Sequence, residues 1–243
     1  MRTLIISDIH ANLNALEAVL DAAEPFDRVW CLGDVVGYGP DPNECIERLR
    51  DLPELECVKG NHDAAIIGEI DMAAFNYEAQ ASLDWLARVI KPRNYAWLDS
   101  LGERIVLGET TLVHGSPRNP VWEYIMDIET AQINMNGFET DVCLIGHTHI
   151  PCIFQLEDVR TQDVGWYLLL PGNIFYIDRK AIINPGSVGQ PRDHDPRAAF
   201  MIYDDELGQW SFHRATYDIE SVQKRIRAAG LPHHHASRLA QGW

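Results

Sequence analysis

Five short clusters of polar residues, each directly after an apolar run, constrain the fold of this chain more than any other feature. The apolar runs are typical of buried β-strands, and the clusters are rich in aspartate, asparagine and histidine. They are Asp8-Ile9-His10, Gly33-Asp34, Gly60-Asn61-His62-Asp63, His114 and Gly146-His147-Thr148-His149. Because the carboxyl ends of parallel strands meet at one edge of a sheet, we expect the clusters to lie together along that edge.

The first third of the chain alternates strand-like and helical patterns, as βαβ units do. Three strands are predicted, at Thr3–Ser7, Arg28–Leu32 and Leu55–Lys59. Apolar residues at helical spacing predict a helix over Leu13–Ala23 and another over Asn43–Leu52. The alternation predicts an α/β fold with a partly parallel sheet.

Short strand candidates dominate the chain beyond residue 101. They are Arg104–Leu107, Thr110–His114, Asp141–Ile145, Cys152–Leu156, Trp166–Leu170, Ile174–Ile177, Ala181–Asn184, Ala198–Tyr203 and Gln209–Tyr217. Helices are predicted near Ile128–Met135 and over Asp218–Ala229. Two mixed sheets packed face to face, with helices on the outside, accommodate both halves of the chain.

Length and composition suit a single domain over residues 1–243, of which 46% are hydrophobic. The Ala- and Glu-rich stretch at about 64–101 is predicted to be helical, with Pro92 as a breaker, and to form a cap over the polar edge. The tail from about residue 230 is predicted to be loose.

The charge balance limits the classes of partner. Lys and Arg number 20 against 36 Asp and Glu, a formal net charge of −16, which makes a nucleic acid partner and a nuclease function unfavourable. An anionic substrate would then need local positive charge, and bound metal ions can supply it.

The cysteines and the apolar runs indicate a cytoplasmic protein. The five cysteines are odd in number and lack C-x-x-C spacing, which favours reduced core thiols. They are Cys31, Cys45, Cys57, Cys143 and Cys152. Neither a signal peptide nor an apolar run near the roughly 18 residues of a membrane span is found, so no membrane association is expected.

The residue types in the clusters suit divalent transition metals. If the strands stay extended, Asp8 and His10 point to the same side at positions i and i+2, and His147 and His149 repeat that arrangement. Asp34 offers two carboxylate oxygens that can bridge two ions. Mixed imidazole and carboxylate ligands favour Mn, Fe, Zn, Ni or Co over Ca.

Each cluster alone has an ordinary structural explanation, such as a turn or a hydrogen-bonded histidine at a strand end. In order, however, D-x-H, G-D, G-N-H-D, H and G-H-x-H resemble the calcineurin-like metallophosphoesterase superfamily. The flanking segments HANLNALEAVL, GDVVGYGPDPNECI, LVHGSP and INPGSVGQPRD resemble a subgroup of small bacterial phosphodiesterases, similar to asymmetrical diadenosine tetraphosphatases. The resemblance implies a four-layer αββα sandwich and a centre of two metal ions.

The resemblance also implies a role for each cluster residue. Asp8, His10 and His149 would hold the first metal ion, Asn61, His114 and His147 the second, and Asp34 would bridge the two. His62 would contact the phosphate and act as general acid, with Asp63 pairing with it and orienting it. The implied reaction is attack on phosphorus by a hydroxide that bridges the two ions.

One departure from the superfamily pattern narrows the branch. Its Ser/Thr protein phosphatases and symmetrical diadenosine tetraphosphatases continue the second motif as G-D-x-V-x-R-G, whereas this chain has GDVVGYG at 33–39. The missing arginine disfavours both branches. Arg192 or Arg118 could meet a distal phosphate instead, the alternative being ordinary exposed side chains.

Three further features are candidates for substrate contact with structural alternatives. Tyr38 could stack on a nucleobase or simply anchor its loop. His194 is a candidate for the edge of the site. The run His233–His235 is interpreted as a solvated cluster, because three adjacent side chains on a loose tail cannot converge on one ion.

The function indicated is metal-dependent hydrolysis of phosphodiester or phosphoanhydride bonds in a small metabolite. The specific hypothesis is a dinucleoside polyphosphate cleaved asymmetrically. The alternatives are a broad-specificity phosphomonoesterase or protein phosphatase, and a non-catalytic scaffold with the same fold. A scaffold would have no reason to retain His62 and all seven ligands. A homo-oligomer is compatible with each.

Overall fold

The computed structural model describes residues 1–243 as two six-stranded β-sheets. In spatial order the first sheet contains β3 (Leu55–Cys57), β2 (Arg28–Cys31), β1 (Arg2–Ile6), β11 (Ala198–Asp204), β12 (Gln209–Ala215) and β9 (Ile174–Phe175). The second contains β4 (Arg104–Leu107), β5 (Thr110–Val113), β6 (Val142–Leu144), β10 (Ala181–Asn184), β7 (Cys152–Asp158) and β8 (Asp163–Leu168).

Each sheet has a parallel core with antiparallel strands beside it. Strands β1, β2 and β3 run parallel in the first sheet, as do β5, β6 and β10 in the second. Five of these strands are followed, after at most two residues, by the five polar clusters. The sheets therefore deliver all five clusters to one edge of the molecule, as the sequence predicts.

Eight helices connect and cover the strands. They are α1 (Leu13–Ala23), α2 (Pro42–Arg50), α3 (Asn61–Ile66), α4 (Tyr77–Val89), α5 (Pro92–Asp99), α6 (Ile128–Asn134), α7 (Ile219–Ala228) and α8 (His233–Leu239), with a 3-10 turn at Met72–Ala74. No helix is both long enough and apolar enough to cross a membrane.

Helix α1 shows how the sequence fixes an element beside the site. The Asn12 side chain caps its start by accepting a hydrogen bond from the Ala15 N–H at 3.2 Å. Leu16 and Val19 recur on its buried face. The Asn12 amide also donates to the Gly189 carbonyl at 3.0 Å, so the helix start holds a loop from the C-terminal half.

Three apolar layers hold the sandwich together. Between the sheets lie side chains such as Ile5, Leu144 and Phe212. A second cluster packs the first sheet against α1 and α2, and a third packs α6 on the outer face of the second sheet. The predicted α/β fold of two mixed sheets flanked by helices is confirmed. On the outer face of the second sheet, α6 is the only helix that contributes residues to the third cluster.

The segment 64–101 is helical as predicted, in α4 and α5, and its role as a cap stays a prediction. The strand predicted at Trp166–Leu170 instead spans Asp163–Leu168, because β8 begins directly after the turn from β7 and the apolar run continues beyond its end.

The prediction of a loose tail from residue 230 is wrong. The chain forms α8, and Leu231, Ala236 and Leu239 pack against Val222 and Ile226 of α7. The three adjacent histidines interrupt the apolar spacing of Leu231, Ala236 and Leu239, so the sequence pattern did not predict this helix. His235, predicted to be solvated, is 1% exposed and bonds the Glu78 carbonyl through Nε2 at 3.1 Å.

Replacing Leu239 with alanine tests whether α8 is part of the folded unit. Because this side chain is buried against α7, we expect Leu239→Ala to lower the free energy of unfolding by about 2–4 kcal/mol in urea denaturation. Leu207→Ala is the control, since Leu207 is 64% exposed in the turn between β11 and β12. Equal stabilities for the two variants would contradict the packing.

Candidate metal centre

The seven predicted ligands converge at the common edge of the two sheets, and none is more than 3% exposed. Their side chains form groups whose ligand atoms lie within 4.8 Å of one another. The ligand atoms fall into three overlapping sets, which are Asp8 with His10 and His149, His10 with Asp34 and His62, and Asp34 with His114 and His147. The predicted assignment to two metal ions that share Asp34 stays a prediction.

The first group contains Asp8, His10 and His149. The Asp8 Oδ1 atom lies 3.2 Å from His149 Nε2 and 3.8 Å from His10 Nε2. The two imidazole Nε2 atoms face each other at 3.1 Å. These three side chains therefore enclose one point from three sides.

The second group contains Asn61, His114 and His147. The His114 Nε2 atom lies 3.0 Å from Asn61 Oδ1 and 3.2 Å from His147 Nδ1. The amide oxygen of Asn61 thus faces the same point as two imidazole nitrogens.

Asp34 stands between the two groups. Its Oδ2 atom is 3.6 Å from His10 Nε2 and 3.4 Å from His114 Nε2. Its Oδ1 accepts the His62 backbone N–H at 2.8 Å, whereas Oδ2 is buried without any hydrogen-bond partner. A buried, unpartnered carboxylate oxygen is costly unless a cation neutralises it.

Backbone carbonyls fix the direction of all four imidazoles. The outward ring nitrogens donate from His10 Nδ1 to Val36 at 3.1 Å, His114 Nδ1 to Leu32 at 2.8 Å, His149 Nδ1 to Gln190 at 2.5 Å and His147 Nε2 to Trp122 at 3.1 Å. A carbonyl can only accept, so the outward nitrogen of each neutral ring carries the proton. The lone pair of each inward nitrogen is thereby aimed at the centre, as in metal-ligating histidines.

This donor set fits divalent metal ions. Facing lone pairs repel unless a cation or a proton lies between them. Two nitrogens bound at about 2.1 Å from one ion, at a right angle, lie about 3.0 Å apart, close to the two nitrogen–nitrogen distances observed. The unpartnered Asp34 oxygen points to the same conclusion.

The side chains converge by a different backbone geometry from the predicted one. The residues are in the left-handed region, with φ of 54° at Asp8, 49° at His10, 51° at Asp34, 66° at His147 and 62° at His149. The extended i, i+2 arrangement predicted for the two histidine-containing pairs is therefore wrong. Left-handed non-glycine residues cost about 1–3 kcal/mol each and cluster at functional sites.

Close backbone contacts maintain this conformation. The Asp8 N–H donates to the Gly33 carbonyl at 3.0 Å, and the His147 N–H donates to Asp8 Oδ2 at 3.1 Å. Gly146 is required beside them, because a Cβ atom there would lie 2.0 Å from Ser7 Oγ.

Mutual electrostatics set the charges of the buried groups. Burial alone would raise the pKa of Asp34, but the facing imidazoles, His114 first, hold it well below its usual range. Burial alone would lower the pKa of His114, but Asp34 outweighs it and raises that pKa to about 9. At neutral pH the metal-free centre therefore retains a proton that cation binding would displace.

His62 lies beside the centre at the start of α3. Its ring packs against Tyr38 and Phe75 with centroid distances of 4.5 and 4.9 Å, and its Nδ1 atom is buried without a partner. Burial lowers the pKa of His62 to about 4, so the ring is neutral in the empty pocket at pH 7. Gly37 must be glycine here, because a Cβ atom would lie 2.4 Å from His62 Nδ1.

The predicted pairing of Asp63 with His62 is wrong. The Asp63 carboxylate accepts hydrogen bonds from the backbone N–H groups of Val35, Val36 and Gly60 at 3.0–3.3 Å. Consecutive residues at a helix start project in different directions, which takes Asp63 away from the imidazole. Asp63 therefore holds the second cluster against the third.

A cavity of about 260 Å³ opens above the centre. Its wall contains Asp34, Asn61, His62, His147, His149, Tyr38, Arg192 and the additional residues Ala74, Phe75, Asn76, Trp122 and Tyr124. The Tyr124 ring stacks on His147 at 3.7 Å and is 44% exposed. The sequence analysis missed Trp122 and Tyr124, although the W-x-Y pattern soon after His114 was a signal for them.

The candidate substrate contacts have different surroundings. Arg192 lines the cavity; its Nη2 donates to Gln190 Oε1 at 3.1 Å, and its Nε is buried without a partner. Tyr38 is only 7% exposed among the rings of three histidines, which leaves no face for a nucleobase and supports the loop-anchor alternative. Arg118 instead pairs with Glu123, and His194 stacks on Trp243.

Metal content tests the shared carboxylate. We expect the wild type, after loading with Mn and desalting, to retain two equivalents by mass spectrometry of the metal. Asp34→Asn should retain at most one, because it removes the anionic group that faces both sets of ligands. Asp205→Asn, at the surface, should retain two. Two equivalents in Asp34→Asn would rule out the bridging position.

Comparison with known proteins agrees with this centre. The calcineurin-like phosphoesterase superfamily domain matches residues 1–206. A metallophosphoesterase from Sphaerobacter thermophilus has 44% identity and a TM-score of 0.91, over 100% of this chain and 99% of that one.

Two sequence relatives extend the similarity. MJ0912 of Methanocaldococcus jannaschii, an uncharacterized protein, is 37% identical over 246 residues, 98% of this chain and 97% of the relative. The phosphodiesterase YfcE of Escherichia coli is 27% identical over 218 residues, 85% of this chain and 90% of the relative. The predicted resemblance is confirmed, and the chain belongs to the calcineurin-like phosphoesterase superfamily as a phosphoric ester hydrolase.

Proposed function

We propose that this protein hydrolyses phosphodiester or phosphoanhydride bonds of a small phosphorylated metabolite, and that its substrate is a dinucleoside polyphosphate cleaved asymmetrically. The observation that carries the reaction class is the convergence of four aimed imidazoles, two carboxylates and one amide beside a cavity. Four of these side chains line its wall, namely Asp34, Asn61, His147 and His149. His62 lies on the same wall.

The donor set favours two ions of Mn, Fe, Ni, Co or Zn, with manganese as our first choice. Four imidazole nitrogens disfavour Ca and Mg, which prefer oxygen ligands. Asp8, His10 and His149 would hold one ion and Asn61, His114 and His147 the other, with Asp34 shared. When bound, the ions supply Lewis acidity and an activated water.

His62 is the proposed general acid. In the reaction, water adds to phosphorus, the bond from phosphorus to the leaving oxygen breaks, and that oxygen needs a proton. A bound phosphate anion would raise the pKa of His62 from about 4 toward neutrality, because it adds negative charge beside the buried ring. Phe75 and Tyr38 on either side keep the ring in place.

Two arginines provide the argument for a second phosphate. Arg192 lines the cavity, and Arg238 lies on α8, one turn after His235, whose ring contacts Tyr38 at 4.8 Å. Neither guanidinium has an Asp or Glu carboxylate within 4.0 Å, although Arg192 Nη2 donates to Gln190 Oε1 and Arg238 Nε donates to the main-chain oxygen of Trp243. Burial, and next the charge of Arg192, lower the pKa of Arg238. Two partly buried cations without a side-chain carboxylate partner favour an anionic ligand near them, which a polyphosphate supplies.

The scaffold alternative is weakened by the conformation of the site. Five left-handed ligand residues and a buried, unpartnered carboxylate oxygen all destabilise the metal-free fold. A scaffold gains nothing from them. Absence of turnover with every one of Mn, Fe, Ni, Co, Zn and Mg would nevertheless favour the scaffold.

We also propose a cytoplasmic location. All five cysteines are free and buried. Cys31 and Cys57 remain free thiols even though they lie opposite each other in the register of β2 and β3. Buried free thiols are typical of a reducing compartment.

Removal of the His62 ring tests the general acid. We expect His62→Ala to keep both metal ions but to lose about 10²–10⁴-fold in turnover of a phosphodiester with an alkyl leaving group. Turnover of bis-p-nitrophenyl phosphate should fall much less, because p-nitrophenolate leaves without a proton. His213→Ala, in β12, is the control. Equal losses on both substrates would exclude the role.

Substitution of the two arginines tests whether the substrate is a dinucleoside polyphosphate. Loss of a charged hydrogen bond costs about 1.5–3 kcal/mol, so Arg192→Ala and Arg238→Ala should each raise KM for diadenosine tetraphosphate about 10- to 100-fold. Turnover of bis-p-nitrophenyl phosphate should change little. Arg227→Ala, exposed on α7, is the control.

Chromatography of the products separates the two cleavage modes. Asymmetrical cleavage of diadenosine tetraphosphate yields AMP and ATP in equal amounts. Two molecules of ADP would contradict the asymmetry while leaving phosphoester hydrolysis intact.

A further inference from the structure

The two lateral ends of the sandwich are built differently. At one end the edge strands are β3 and β4, and the chain closes the gap between the sheets. Val58 forms a β-bridge with Gly102, and the Lys59 N–H donates to the Gly102 carbonyl at 2.8 Å. At the other end the edge strands are β8 and β9, which the segment 169–173 connects without any β-bridge between the two sheets.

Large apolar side chains are exposed at this second end. They are Trp166 (44%), Tyr167 (48%), Leu168 (64%), Leu170 (65%), Ile174 (60%) and Tyr176 (62%), which we call the open-end surface. Several of them line a groove whose deeper wall includes Ile153 and Phe175. Tyr167 lies opposite Ile153 of the layer between the sheets, whereas Trp166 stacks on Phe154 of the outer face, so the surface extends around the edge of β8.

The segment carrying this surface has no charge. Residues 164–177 read VGWYLLLPGNIFYI, without Asp, Glu, Lys or Arg, in a chain that is 23% charged with a net charge of −16. Contiguous apolar patches of this kind mark interaction sites. An acidic protein approaches a copy of itself with least repulsion where its surface is uncharged.

The backbone at this end is self-complementary. β8 pairs with β7 on one side only, and β9 pairs with β12 on one side only. An edge strand presents unpaired N–H and C=O groups, and two copies of one edge can pair antiparallel across a twofold axis. A natural edge is usually blunted by charge, whereas here β8 carries a charged residue only at its first position, Asp163, and β9 carries none.

The exposed area suits a dimer. At the fractions given, the six side chains expose on the order of 600–700 Å², close to the roughly 800 Å² per partner of a standard interface.

We propose that the open-end surface is the interface of a symmetric homodimer, in which β8 and β9 of one copy meet β8 and β9 of a second. The interface contains none of the seven metal ligands, so the proposal is independent of the chemistry proposed above.

Analytical ultracentrifugation over 1–100 μM tests the proposal on the full chain. We expect the wild type to sediment as a dimer of 27.5 kDa subunits. Leu168→Glu and Ile174→Glu, one at each edge, should sediment as monomers with the circular dichroism of the wild type. Val106→Glu is the matched control, because Val106 is 59% exposed on β4 at the opposite end of the second sheet, and it should remain dimeric.

Cross-linking gives a second measurement that does not depend on loss of stability. Under oxidation, Leu168→Cys should form a disulfide-linked dimer, whereas Val106→Cys should not, since all native cysteines are buried. A monomeric wild type at 100 μM would overturn the proposal, as would a dimer unaffected by both glutamates. A monomer that floats with phosphatidylcholine–phosphatidylglycerol vesicles would assign the surface to lipid and would also overturn it.

Discussion

The hydrogen bonds between backbone carbonyls and the outward nitrogens of four histidines determine how the rest of this molecule is built. They orient the inward nitrogens of His10, His114, His147 and His149 toward the centre. There the nitrogens of His10 and His149 lie 3.1 Å apart, and those of His114 and His147 lie 3.2 Å apart. Such an arrangement is unfavourable unless a cation or a proton lies between the nitrogens. The accepting carbonyls come from loops that follow β2, β5 and β10, so the parallel strands of both sheets must be in register for the centre to form.

The strained backbone conformation of the centre is stabilised by contacts in the surrounding loops. The left-handed residues are held by hydrogen bonds between neighbouring loops, and Asp63 contributes three such contacts away from the reacting atoms. Its burial, and next the charge of Asp34, raise the pKa of Asp63 to about 6. A buried carboxylate with only backbone donors thus holds two of the polar clusters together.

Much of the fold and of the ligand set could be predicted because each has a local signature. Strand periodicity located β1, β2 and β5, and the residue types after them identified the side chains that converge as candidate ligands. Other features depend on contacts that sequence patterns do not reveal. The left-handed conformation of Asp8 arises from neighbouring loops, and the contact of His235 with Tyr38 requires the docking of α8.

The docking of α8 couples the last residues of the chain to chemistry that begins at Asp8. His235 packs on Tyr38, and Tyr38 in turn packs on His10 and His62. The site is therefore incomplete until the C-terminal helix has been synthesised and docked, and contacts so distant in sequence form slowly. Removal of α8 would therefore expose one side of Tyr38 without cutting any of the loops that carry the candidate ligands.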